Sequence, residues 1–151
     1  MRGKKVTGRK RHILVDTMGL LLAVLVHPAN IQDRDGARLL VRRAKAAKRW
    51  PRLRVVFADG GYAGQFVGWV WDWWQVVVRV IKRSDRAQGF EVLPKRWVVE
   101  RTFGWLGDYR RLSKDYEFHE NTSETMIHLA LIHLMLKRLA PAKGGHLRRA
   151  D

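Results

Sequence analysis

A short apolar run that ends in a carboxylate constrains the fold of this chain more than any other feature. The run extends from Arg54 to Asp59, and the pair Gly60-Gly61 follows it directly. Continuous apolar runs of this length are typical of strands that are buried on both faces, as in α/β sheets. The glycines allow a sharp turn out of the strand. Because open α/β sheets bind their ligands outside the carboxyl ends of strands, Asp59 is a candidate ligand-binding residue.

The flanking sequence predicts an α/β arrangement around this strand. Apolar runs at 12–15 and 20–26 enclose Asp16-Thr17-Met18-Gly19, which predicts a β-hairpin. The remaining pattern predicts helices over 35–49, 62–73, 94–109 and 121–139, with a second buried strand over 75–81. We therefore predict one domain over residues 1–140, with a mixed sheet and flanking helices. A polar loop is predicted over 82–90 and a basic disordered tail over 141–151.

The last predicted helix has two further features. Asn121 and Glu124 have the spacing of a capping box at its start. The residues that follow are apolar nearly all round, which predicts a helix that is buried or at an interface.

The charge balance indicates the class of partner. Thirty Lys and Arg residues oppose 14 Asp and Glu, so the formal net charge is +16. Such a chain attracts polyanions, which favours nucleic acid as the partner over an anionic membrane surface. The chain has no cysteine, which excludes disulfides and thiolate zinc sites. We expect a cytoplasmic protein that does not enter a membrane, since the basic N-terminus is not followed by an unbroken apolar stretch.

Glu100 is the second candidate for chemistry. On a helix it would share one stripe with Arg96, Gly104, Gly107 and Arg111. A carboxylate between two guanidiniums, on a surface without side chains, suits a divalent ion bound to a phosphodiester. The local alternatives are structural: Arg96 and Glu100 form an ordinary i,i+4 pair, and Asp59 forms a turn with the glycine after it.

Other polar and aromatic residues are weaker candidates. The acids Asp16, Asp33 and Asp35 suit a turn and a helix start rather than a metal site. The six histidines show no ligand spacing. Seven tryptophans could stack on unpaired bases, but the spacing of Trp69 and Trp73 favours core packing for most of them.

Several ordered blocks of the sequence carry a family resemblance. They are Gly8-Arg9-Lys10-Arg11-His12, Ala58-Asp59-Gly60-Gly61-Tyr62, Arg96-Trp97-Val98-Val99-Glu100-Arg101-Thr102-Phe103-Gly104-Trp105-Leu106 and Tyr109-Arg110-Arg111-Leu112. Together they resemble the DDE transposases of bacterial insertion sequences, in the branch with DGGY and VERTFGWL blocks. The resemblance extends from about residue 3 to residue 141.

This resemblance implies a ribonuclease-H-like fold in which three acids hold two divalent ions, Mg²⁺ or Mn²⁺, for DNA cleavage and strand transfer. Asp59 matches the second acid and Glu100 the third, so both are expected catalytic and metal-binding residues. The expected DNA-binding residues are Arg96, Arg101, Arg110, Arg111, Lys10 and Arg11. The implied partners are transposon ends and target DNA, with a homo-oligomer in the active complex.

The chain departs from the family pattern at three places. The family's first acid lies on a strand before the GRKRH block, whereas here only residues 1–7 precede it, without an acid. Leu93 and Asp108 replace an expected tyrosine and an expected basic residue. We therefore expect a C-terminal part without its first strand, inactive alone and completed by an upstream reading-frame product. The alternatives are a non-catalytic nucleic-acid-binding remnant, or a nuclease or resolvase on the same fold.

Overall fold

The computed structural model describes residues 8–81 and 95–140, and the predicted loop, the Pro94 helix start and the predicted tail lie outside them. Within these described ranges, four strands and four helices follow one another in mixed α/β order, as the sequence predicts. They are β1 (Arg9–Val15), β2 (Leu21–Pro28), α1 (Asp33–Ala46), β3 (Val55–Asp59), α2 (Gln65–Trp74), β4 (Val77–Ile81), α3 (Arg96–Gly107) and α4 (Glu120–Leu139). Single turns of 3-10 helix cover Gly60–Tyr62 and Arg110–Leu112.

The predicted hairpin is confirmed. Strands β1 and β2 pair antiparallel, with a register that places Lys10 opposite His27. The Asp16 carboxylate closes the turn by accepting from the backbone N–H groups of Met18 and Leu20, at 2.8 and 2.9 Å. Gly19 takes a φ of 82°, which disfavours a residue with a Cβ. Asp16 therefore has the structural role that its position indicated.

Strand β2 is buried on both faces because a helix covers each of them. Val24 and Val26 belong to a core cluster with Ile127 and Leu131 of α4. Ala23 and Leu25 point the other way, into a cluster with residues of α1. This alternation is the period of two that a strand imposes on its side chains. The hairpin is thus held between α1 and α4.

Strands β3 and β4 form a parallel pair, joined by α2, with Val55 opposite Val77. In the described part of the chain this pair and the hairpin are two separate two-stranded ladders, so the single mixed sheet that we predicted is not formed there. Full burial of β3 was also predicted and is wrong. None of its residues is fully buried, and Phe57 is 42% exposed. The reason is that one edge of β3 borders an open cleft.

Helix α4 departs from its predicted start. It begins at Glu120, and no side chain caps it. Instead of completing a capping box, the Glu124 carboxylate accepts from the Val26 N–H at 2.9 Å and from Arg43 at 2.6 Å. Glu124 thereby ties α4 to both the hairpin and α1. One face of α4 is buried in the core, whereas Leu129 and Leu136 are exposed on another. None of the helices within 8–81 and 95–140 is long and apolar enough to cross a membrane.

Candidate active site

Asp59 ends β3 and begins the 3-10 turn that follows. Its Oδ1 accepts from the Gly61 N–H at 2.9 Å, and a Cβ at Gly61 would lie 3.1 Å from the same oxygen. The local prediction of a turn-forming Asp-Gly pair is therefore confirmed. It does not exclude a second role, because the carboxylate is exposed and has a second oxygen.

Glu100 lies on α3 and is also exposed. The Arg96 Nε donates to its Oε1 at 2.9 Å, and the two side chains are 53% and 62% exposed. The predicted i,i+4 pair is thus present. Exposed pairs of this kind contribute roughly 0–1 kcal/mol, so a ligand that competes for either partner meets little resistance.

The structure brings Asp59 and Glu100 together on the wall of one cleft of about 340 Å³. Arg96 lines the same cleft. The largely apolar remainder of the wall comes from both strand pairs and from α1, α2 and α3. It includes Arg11, His12, Ile13, Leu14, Val56, Phe57, Ala58, Tyr62, Val99 and Phe103.

The cleft runs along the edges of two strands. Four consecutive residues of β1 and four of β3 line it. Consecutive residues of a strand point to opposite faces, so a run of neighbours can border one space only along the strand's edge. Among the described residues β1 pairs only with β2, and β3 only with β4. The cleft therefore lies between two strand edges whose backbone groups lack ladder partners.

A partly buried hydrogen bond links the hairpin to the turn after Asp59. The Tyr62 hydroxyl lies 3.2 Å from His12 Nδ1. Burial, followed by the charges of Asp59 and Asp33, raises the pKa of Tyr62 to about 12. Burial, followed by the neighbouring His27, lowers the pKa of His12 below its ordinary value of 6.5. Both shifts favour the neutral forms, a protonated tyrosine hydroxyl and an uncharged imidazole, which share this hydrogen bond. This contact positions the turn that carries Asp59.

The surroundings of His12 were not predicted from the sequence. Its ring stacks on His27, with centroids 4.8 Å apart. Gly36 in α1 lies against both rings, since a Cβ there would be 2.3 Å from His27 Nε2 and 2.7 Å from His12 Nε2. The hairpin register was the available signal: Lys10 lies opposite His27, which places the two histidines on the same face.

Two of the expected DNA-binding residues in β1 have internal partners. Lys10 pairs with Asp33 at 2.9 Å and donates to the Ile31 carbonyl at 2.8 Å. Arg11 donates to the carbonyls of Leu112, at 2.8 Å, and Lys114, at 3.2 Å. Both cations thus hold β1 to neighbouring segments.

Arg101 likewise has a packed position. Its guanidinium lies over the rings of Trp97 and Trp105, at 4.4 and 4.7 Å from their centroids. It also donates to the Met18 carbonyl at 2.9 Å. These contacts fix α3 against the hairpin turn.

The predicted stripe on α3 is shorter than expected, because the helix ends at Gly107. Arg111 therefore lies outside it, in the following 3-10 turn, and its Nε donates to Glu117 at 2.7 Å. That carboxylate raises the pKa of Arg111 further. Arg110 is exposed and forms no ion pair within the described residues. A Cβ at Gly104 or Gly107 would meet nothing within 4 Å, so this side of α3 is open.

Within 8–81 and 95–140 no three His, Asp or Glu side chains are grouped as metal ligands. The cleft offers two carboxylates, from Asp59 and Glu100. Mg²⁺ is commonly held by one or two carboxylates together with waters and substrate phosphates. The donor set present fits a hard divalent ion, although it is one carboxylate short of a three-acid site.

Comparisons with known proteins identify the family. The family model described as "Transposase DDE domain" matches residues 2–135. A Burkholderia cepacia protein named as a transposase for insertion sequence element IS402 is 33% identical over 116 residues, which is 73% of this chain. The chain spans about half the length of that relative, 54%. No solved structure matches. Because the family model covers most of the chain, and the relative is an insertion-sequence protein, the chain belongs to the DDE transposases of bacterial insertion sequences.

Proposed function

We propose that this chain is the larger part of a transposase catalytic domain that cleaves and joins DNA phosphodiesters. Asp59 and Glu100 are proposed as catalytic, metal-binding carboxylates. The observation that supports this most is that two acids far apart in sequence, on a strand end and on a helix, line the same cleft. Neither acid is needed there for the core, because both are exposed.

The proposed cofactor is a divalent ion, Mg²⁺ or Mn²⁺. When bound, such an ion polarises a phosphodiester and stabilises charge on the leaving oxygen. Asp59 would hold it from the end of β3, while the Tyr62–His12 contact keeps that turn in place. Arg96 is proposed to bind a phosphate oxygen. Its present partner is the Glu100 carboxylate, in an exposed pair that a metal ion and a phosphate together can replace.

The missing carboxylate, which corresponds to the family's first acid, is proposed to arrive on an additional strand in the cleft. Two observations support this: β1 and β3 both present edges to the cleft, and the apolar Phe57 beside it is exposed. Open strand edges recruit extended segments through backbone hydrogen bonds. A strand between β1 and β3 would join the two ladders into one ribonuclease-H-like mixed sheet. We propose that an upstream reading-frame product supplies it.

DNA is the proposed substrate and partner, with homo-oligomers forming in the active complex. The net charge of +16 favours binding to a polyanion. Of the expected DNA-binding residues, Arg96 and Arg110 are exposed; within 8–81 and 95–140, Arg96 pairs with the exposed Glu100 and Arg110 forms no ion pair. Lys10, Arg11, Arg101 and Arg111 would first have to leave the internal partners described above, so we propose that they contribute less.

The test is cleavage by the completed protein, in which the segment encoded immediately upstream is fused to this chain. We expect Mg²⁺-dependent nicking of DNA that carries the element's ends. Glu100→Gln should abolish nicking and leave DNA binding intact, because the amide keeps the shape but weakens metal binding. Asp72→Asn removes the same charge at an exposed position outside the cleft, and this control should still cleave.

A runner-up function is a non-catalytic nucleic-acid-binding remnant. The shortage of a third carboxylate among the described residues favours it. Under this alternative the fused protein binds DNA but never nicks it, with or without Mg²⁺. Cleavage that persists in Glu100→Gln would instead refute the assignment of the site.

A further inference from the structure

A second pocket lies at the ends of α1 and α2, and neither Asp59 nor Glu100 lines it. Its volume is about 630 Å³. Trp74 lines both this pocket and the cleft, so it separates the two. The pocket is lined by Arg42, Ala44, Lys45, Ala46, Lys48, Trp50, Pro51, Trp73 and Trp74. We call it the tryptophan pocket.

Its walls are aromatic and open to solvent. Trp73 is 37% exposed, although the sequence favoured core packing for most of the tryptophans. Its ring is kept in place by parallel stacking on Trp69, with centroids 5.6 Å apart and an angle of 10°. Trp50 contributes a buried Nε1 that has no hydrogen-bond partner among the described residues.

The pocket is also cationic. Arg42, Lys45 and Lys48 line it, and none of its lining residues is acidic. Lys45 lies over the Trp73 ring, 4.3 Å from the centroid. The Arg42 guanidinium lies over Trp69, at 5.6 Å. The cations are therefore interleaved with the rings.

We propose that the tryptophan pocket binds an unpaired nucleotide of single-stranded DNA. Aromatic rings stack on any base, while adjacent cations bind the phosphates. A base that stacks on Trp73 would displace the Lys45 ammonium from the ring, and Lys45 would then bind the neighbouring phosphate. A nucleotide within a duplex cannot enter, because its base faces are already stacked. The site binds DNA without a divalent ion, so it goes beyond the proposed chemistry and does not depend on it.

The test uses a fluorescein-labelled oligothymidine of 12 nucleotides and fluorescence anisotropy, with this chain in EDTA. Trp73→Ala should weaken binding by about tenfold, which is within the range for one lost base stack. Trp73→Phe keeps a ring and should retain most of the affinity. Trp71→Ala is the matched control: this tryptophan lies on the same helix, is 47% exposed and does not line the pocket.

Charge is tested in the same way. Lys48→Gln should weaken binding more than Arg49→Gln, because only the first of these neighbouring cations lines the pocket. Blunt duplex of the same length should be insensitive to Trp73→Ala. Equal losses in Trp73→Ala and Trp71→Ala, or equal losses on duplex and single strand, would overturn the proposal. Loss of nicking in the fused protein with oligothymidine binding intact would refute the proposed function alone.

Discussion

Replacing Gly36 by alanine tests the packing that holds the hairpin against α1 beside the cleft. Two effects oppose each other. Alanine in a helix interior is favoured over glycine by about 0.5–1 kcal/mol. The new Cβ would, however, lie 2.3 Å from His27 Nε2 and 2.7 Å from His12 Nε2, and both contacts are too short to be tolerated.

Neither ring can move away easily. His27 Nδ1 is hydrogen-bonded to the Pro28 carbonyl at 2.8 Å, and His12 Nδ1 is hydrogen-bonded to the Tyr62 hydroxyl at 3.2 Å. Overpacking of a filled core typically costs about 1–3 kcal/mol, and two trapped rings place Gly36→Ala in the upper part of that range. After the helix gain is subtracted, we expect a net loss of about 1–2 kcal/mol in the free energy of unfolding.

Urea denaturation followed by circular dichroism measures this loss. Gly68→Ala is the matched control, because it also lies inside a helix but a Cβ there would meet nothing within 4 Å. It should stabilise the protein by about 0.5–1 kcal/mol. Adding His27→Ala to Gly36→Ala should recover part of the loss that the clash causes. If Gly36→Ala proves as stable as Gly68→Ala, the packing argument is refuted.

Two further predictions concern the same region and the core. Burial lowers the pKa of His12, so the unfolded chain binds a proton that the folded chain does not. The contribution of the neutral His12 to the free energy of unfolding is therefore fully present above the ordinary pKa of 6.5 and is lost as the pH falls below it. Urea denaturation midpoints measured at different pH values will show this loss. An unchanged pH dependence in His12→Asn would contradict the prediction. Glu124→Ala leaves the Val26 N–H without its acceptor and should cost about 1–3 kcal/mol. Arg43→Gln removes the ion pair with Glu124 and a hydrogen bond to the Val24 carbonyl but leaves the Val26 N–H its acceptor, so it should cost less than Glu124→Ala. Equal losses would show that the Val26 N–H is not the cause.

Local chemistry made much of the fold predictable. A glycine in the hairpin turn, the apolar spacing of α1 and the valine run of β4 each identify an element from neighbouring residues alone. Boundaries were less predictable. The capping box at Asn121 was wrong because Glu124 has better partners in α1 and β2, which lie far away in sequence.

The candidate site was also predictable only in part. Asp59 and Glu100 were identifiable from their blocks, but their meeting in one cleft depends on how α3 packs against β3. The apolar pattern of β3 correctly predicted a strand and wrongly predicted its burial. An apolar pattern shows that a strand can be buried, but which segments cover it depends on the tertiary structure. Arg111 shows the same limit, since its helical stripe ended at Gly107.

The sequence by itself determined the order of the elements, the basic character and the two acidic residues, because these depend on residue type and short-range spacing. Only the tertiary structure decided that two strand edges face one cleft and that two stacked histidines pack against Gly36, where a Cβ would not fit. It alone also placed three tryptophans and three cations around one pocket. The physical reason is that these arrangements come from packing between segments that are far apart along the chain. Local propensity depends on neighbouring residues and does not determine which distant segments pack together.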